Sequence, residues 1–90
     1  MSLVGILGGG QLARMLALAG HPLGLRFRVL DPAEQPAAAA VAAHVCGFYD
    51  DPAALGRFAA GLDLCTYEFE NVPVGAAAFI APRLPLFPSA

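Results

Sequence analysis

Ninety residues with a formal net charge of −2 make one small domain and offer no basic face for nucleic acid. The composition is 58% hydrophobic and 13% charged, yet Gly, Pro, His or charge interrupts each apolar stretch well short of the roughly 20 residues that a membrane-spanning helix needs. All five basic residues are arginines, so neither a P-loop lysine nor a Schiff-base lysine enters the reading.

The opening MSLVGILGGG has no basic n-region and runs straight into a strand-and-glycine pattern. It is therefore not read as a signal peptide, and the expected compartment is the cytoplasm. Leu3 to Leu7 is a short apolar run bounded by Gly8-Gly9-Gly10 and predicts a buried strand. A helix is expected from Gln11 to about Leu23, with Leu12, Met15, Leu16 and Ala19 as its apolar stripe and with Gly20 and Pro22 ending it. Leu25 to Leu30 predicts a second strand closing on Asp31-Pro32.

Pro36 to Ala43 predicts a short helix, because Ala favours helix and Pro suits a first turn. Val45 to Phe48 predicts a third strand. Asp51 is the expected N-cap of a helix that starts at Pro52 and runs through Ala60, with Gly61 ending it. Leu64 to Tyr67 predicts a fourth strand, opening onto Glu68-Phe69-Glu70-Asn71. Pro73 to Ala81 predicts the last helix, and Leu84 to Phe87 a short terminal strand. Cys46 and Cys65 lie in apolar strand-like runs and are both expected as buried, reduced thiols.

Strands alternating with helices predict an α/β fold. The expected form is a Rossmann-like three-layer domain with a parallel sheet of four to five strands, spanning residues 1–90 as a single domain. Right-handed crossovers bring every strand's carboxyl end to one edge, where ligands bind at the reversal of strand order. Gly8 to Gly10, Asp31, Tyr49-Asp50 and Glu68 to Asn71 are expected at that edge. The apolar excess has two readings: a tightly buried sheet with Ala-rich helices, or a surface covered by a further domain or a partner.

Gly8-Gly9-Gly10-Gln11-Leu12-Ala13 follows a strand and opens a helix. Glycines allow a sharp turn and a close ligand approach, and the helix amino end favours a phosphate. Asp31 ends the second strand about twenty residues on, which completes a dinucleotide fingerprint. A nicotinamide dinucleotide domain with Asp31 on the adenosine ribose is thus one reading, and a ligand-free tight turn is another. Thr66-Tyr67-Glu68-Phe69-Glu70-Asn71-Val72-Pro73 places two carboxylates and an amide at the end of an apolar strand. If the strand continues, Glu68 and Glu70 point to the same side. They then accept hydrogen bonds from hydroxyls or an amine, or else form a solvated loop in which Asn71 caps the next helix.

The string Gly8 to Met15, the Leu30-Asp31-Pro32 and Pro36-Ala37 segments, and Thr66 to Pro73 together resemble the N5-carboxyaminoimidazole ribonucleotide synthetase family. The resemblance runs through essentially the whole chain, with Ala13 standing where that family usually has Gly. It implies an amino-terminal pre-ATP-grasp domain, with the ATP-grasp domains outside these residues. It implies a ligase that uses ATP and Mg²⁺ to carboxylate 5-aminoimidazole ribonucleotide with bicarbonate, in a homodimer, without nucleic acid or membrane. No catalytic or metal residue is then expected in this segment, which would be inactive alone. The substrate wall implied by the resemblance is Gly8, Gly9, Gly10, Gln11, Leu12 and Glu68, with Glu70 and Asn71 added by adjacency. A non-catalytic interaction domain remains a further alternative.

Arg14, Asp50 and Arg57 are expected as solvated side chains. His21 is expected as a turn residue, and His44 as a histidine without a metal.

Overall fold

The computed structural model describes residues 2–67 and 74–87. Five strands form one sheet: β1 (Leu3–Leu7), β2 (Arg26–Asp31), β3 (Ala43–Cys46), β4 (Leu64–Tyr67) and β5 (Leu86–Phe87). Three α-helices connect them: α1 (Gln11–Gly20), α2 (Pro52–Ala59) and α3 (Val74–Ile80). All pairings are parallel, in the order β3-β2-β1-β4-β5. The chain winds outward from β1 to β3 and then crosses back to β4. The reversal of direction thus falls between β1 and β4, where Leu7 pairs with Tyr67.

Alternation along the strands divides the core into two layers. Leu7, Leu30 and Cys65 face α2 and α3, meeting Leu55, Phe58, Ala76 and Ile80. Val4, Ile6, Phe27 and Val29 face the opposite side, meeting Ala13 and Ala17 of α1 and Ala38. Asp63 fixes the start of β4 against β1: its carboxylate accepts from the Leu3 N–H at 2.7 Å, and its own N–H donates to the Leu3 carbonyl at 2.8 Å.

Several expectations change in the fold. The apolar stripe of α1 is not its core face: Leu12, Met15 and Leu16 are 50%, 61% and 40% exposed. The buried face is Ala13, Ala17 and Gly20. A nearly all-apolar helix satisfies helical spacing on more than one face, and only small residues let it lie close to the sheet. A Cβ on Gly20 would run into the Phe27 ring.

The helix also stops at Gly20, and His21–Leu23 tightens into a 3-10 turn that ends on left-handed Gly24 at φ 82°. The expected 36–43 helix is only a 3-10 turn at Ala37–Ala40, and the third strand begins at Ala43 rather than Val45. Pairing of Ala43 and His44 with Arg28 and Val29 overrides the helix preference of the alanine run. Cys65 is buried as expected, but Cys46 is exposed on the edge strand β3. Asp51 does cap α2, its carboxylate accepting from the Ala53 N–H at 3.0 Å.

Candidate functional site

The turn between β1 and α1 lies at the carboxyl edge beside the strand reversal. Gly8 adopts φ 106°, a conformation that a side chain disfavours, and its N–H donates to the Leu30 carbonyl at 2.8 Å. Gly9 donates its N–H to the Asp31 carboxylate at 2.9 Å, and its carbonyl accepts from the Ala38 N–H at 2.8 Å. Gly10 is the N-cap of α1, and its carbonyl accepts from the Arg14 N–H at 3.0 Å.

Gln11 and Leu12 form the first helical turn with exposed side chains, and no acidic residue stands in that turn. Aligned peptide dipoles give the amino end of α1 a partial positive charge. An anionic oxygen is the ligand chemistry that suits such an end.

Glu68, Glu70 and Asn71 lie outside the described residues. The last described residue before them, Tyr67, pairs with Leu7, which itself precedes the glycine turn. The strands that precede the two motifs in sequence, β1 and β4, are therefore neighbours.

The Asp31 carboxylate is engaged by the turn and by the loop that follows β2. One carboxylate oxygen takes the Gly9 N–H, and the other accepts from the Ala33 N–H at 2.8 Å. The residues beyond β2 are drawn inward as well. The His44 Nε2 lies 3.1 Å from the Asp31 carbonyl, and the Cys46 thiol donates to the Pro32 carbonyl at 3.5 Å. Sequence spacing offered Asp31 as a ribose contact only in the dinucleotide reading and did not anticipate Pro36 or Ala38 as neighbours of the turn. The Pro36 ring is visible in the sequence only as a loop residue, and nothing local says what it rests on.

Of the remaining candidates, Arg14, Asp50 and Arg57 are exposed, as expected, whereas Tyr49 rests against the α2–α3 core. His21 tilts against Phe27 with 5.8 Å between ring centroids, which suits a structural turn residue. The Cys65 thiol is pushed up to about 12 by burial, against a smaller opposing effect from the Leu7 backbone, and so stays protonated and unreactive. A concavity of about 700 Å³ lies at the opposite end of the sheet, lined by Leu3, Arg26, Arg28 and Ala43. Its size does not make it the site, because the strand reversal and the glycine turn are at the other edge.

Known proteins share this arrangement over nearly its whole length. The chain is 47% identical over 87 residues to the N5-carboxyaminoimidazole ribonucleotide synthase of Pseudomonas aeruginosa, covering 97% of this chain and 24% of that protein. It superposes on the crystal structure of the corresponding synthetase from Thermus thermophilus with a TM-score of 0.92 and 62% identity, covering 94% of this chain and 24% of that one. The Aspergillus clavatus enzyme, solved in complex with ADP and 5-aminoimidazole ribonucleotide, matches with a TM-score of 0.78 and 34% identity, over 94% of this chain and 23% of that one. The chain thus spans about a quarter of the length of the relatives it matches. The model of the ribonucleotide synthetase preATP-grasp domain matches residues 1–90, and with its five-stranded sheet and glycine turn this chain belongs to that family.

Proposed function

We propose that this domain is the ribonucleotide-binding, amino-terminal part of an ATP-dependent ligase that carboxylates 5-aminoimidazole ribonucleotide with bicarbonate in purine biosynthesis. The observation that carries the reading is the placement of the Gly8–Gly10 turn and the α1 amino end at the strand reversal, in a chain of this family. The ribonucleotide complex of the Aspergillus relative supports the choice of ligand.

In this reading the 5'-phosphate lies against the α1 amino end, with Gly8, Gly9 and Gly10 letting it approach backbone amides. Gln11 and Leu12 flank it. Glu68 accepts a hydrogen bond from the aminoimidazole amine or the ribose, and Glu70 and Asn71 extend that wall. ATP converts bicarbonate to carboxyphosphate with release of ADP. The exocyclic amine then attacks its carbonyl carbon, phosphate leaves, and the amine loses a proton to give the carbamate.

Among the described residues no group of His, Cys, Asp and Glu could hold a metal ion, and the chain has no lysine to hold ATP phosphates. ATP and Mg²⁺ are therefore assigned to other domains of the ligase, and no step in this segment runs through them. The relatives are about four times as long, and the exposed face of Leu12, Met15 and Leu16 suits contact with such domains. A cytoplasmic homodimer completes the proposal.

The test is calorimetric titration of 5-aminoimidazole ribonucleotide into the full-length ligase and its Gln11→Ala and Glu68→Ala variants. Each substitution is expected to weaken binding by about tenfold, the effect of one lost hydrogen bond to a charged group. Unchanged affinity in both variants overturns the assignment of this wall.

A further inference from the structure

The two faces of the sheet are not covered alike. On one face α2 and α3 lie over Leu7, Leu30 and Cys65. On the other, the buried covering residues among those described come from α1 and the Ala37–Ala40 turn, and they meet Val4, Ile6, Phe27 and Val29 of β1 and β2. Leu64 and Thr66 of β4 point to this second face, because Cys65 between them points to the first. They are half-buried, and together with Val4 and Ile6 they line a groove of about 410 Å³ from the sheet. Leu16 and Leu23 line it from α1 and the turn after it, and are 40% and 77% exposed. Among the described residues no charged side chain lines the groove, and Ser2 and Thr66 supply its only hydroxyls.

We propose that this groove seats an amphipathic helix supplied by the remainder of the ligase chain, which completes the second covering layer over β4. Parallel sheets are found with both faces covered. About three quarters of the relatives' length lies outside this segment, so cover is at hand in the same chain, at the millimolar effective concentration of a tethered partner. The lining selects a helix. A loop or strand laid over these aliphatic side chains would leave its own N–H and C=O groups without partners, whereas a helix satisfies them internally. Along β1 the groove runs from Ser2 to Ile6, about 13 Å at the rise of a strand, which about nine helical residues span. Apolar residues at every third or fourth position then keep one face of that helix on the groove. The proposal rests on the reading of this segment as one part of a longer ligase, and not on the ligand assigned to it.

The test is photo-cross-linking in the full-length ligase, with p-benzoylphenylalanine in place of Leu23 or, in a second protein, of Leu16. Each probe is expected to bond within its own chain, beyond residue 90, in a product that keeps the monomer mass. The two bonded positions are expected about seven residues apart in one segment, since about seven residues advance a helix by the roughly 10 Å that separates the probes along α1. Bonds to segments far apart in sequence overturn the single helix.

A product of twice the chain mass means that a second copy fills the groove, and overturns the proposal. Bonds confined to residues 1–90, or reaction with solvent alone, overturn it as well. If the protein carrying the probe at Leu23 does not fold, the probe at Leu16 decides by the same criterion of partner and mass. Failure of the native ligase to bind ribonucleotide would sink the ligand assignment alone, since the cross-link reads the cover without ligand.

Discussion

The guanidinium of Arg28, midway along β2, donates to the carbonyl of Phe58 at 2.8 Å near the carboxyl end of α2. The same nitrogen reaches the Ala60 carbonyl at 2.6 Å and the Arg57 carbonyl at 3.4 Å. A helix end leaves its last carbonyls unpaired and carries partial negative charge, so a cation there satisfies both. A strand arginine thus serves as the cap of a helix about thirty residues away, joining the sheet to its covering layer. Arg28→Ala is expected to lower stability by about 1–2 kcal/mol. Arg26→Ala, at an exposed position, should change it by less than about 0.5 kcal/mol. Paired urea denaturation curves check both, and equal effects would remove the capping role.

The inverted face of α1 makes a second prediction. Met15→Gln and Leu18→Gln change exposed positions and are expected to move stability by no more than about 0.5 kcal/mol. Ala17→Leu inserts bulk into a fully buried contact with the sheet and should cost about 1–3 kcal/mol. Thermal melts of the three variants distinguish this arrangement from one in which the large side chains face inward, where the order of severity would reverse.

Gly5 offers a third. It lies under α2, and a Cβ there would collide with Leu62 and come within 2.8 Å of the Phe58 ring. Leu62 ends in a flexible side chain that can yield, but Phe58 is fully buried and confined by its neighbours. Gly5→Ala is therefore expected to destabilise by about 1–3 kcal/mol despite the better strand propensity of alanine. Pairing it with Phe58→Leu should recover part of that loss, and strict additivity in the double-mutant cycle would rule out the steric account.

The two thiols should behave differently. Cys46 is exposed, and Cys65 is fully buried with its thiol pushed up to about 12 from an ordinary 9.0 by desolvation. A bulky thiol reagent is expected to label Cys46 in the native protein and Cys65 only on unfolding. Because the native state holds the Cys65 proton more tightly than the unfolded chain, this contribution is intact below about pH 9. It is lost as pH rises toward 12, at up to about 1.4 kcal/mol per unit. Cys65→Ala should flatten that alkaline decline. Rapid native labelling of both thiols would contradict the burial of β4.

Much of the fold was legible in the chain because its signals are local. Leu3–Leu7 and Leu64–Tyr67 are strands at their expected bounds, since short apolar runs edged by glycine or charge have few other ways to bury themselves in an α/β fold. Asp51-Pro52 marked a helix start by capping chemistry alone. The alternation of elements carried the parallel sheet, and the glycine turn carried the position of the candidate site. The face of α1 was not legible, because Leu12, Met15 and Leu16 compete with Ala13 and Ala17 under the same helical period. Only the approach of the helix to Phe27 and Val29 selects the small residues.

By itself the sequence determined the order of the elements, the glycine turn after the first strand and the family to which the chain belongs. The tertiary structure alone decided what those residues touch. It set the Asp31 carboxylate against the Gly9 N–H, placed Pro36 beside Gly9, and made Arg28 the cap of α2. The physical reason is one of distance along the chain. Propensity, capping and periodicity act over a few residues, whereas each of these contacts joins segments about twenty to thirty residues apart, and only the packed sheet brings them within hydrogen-bond reach.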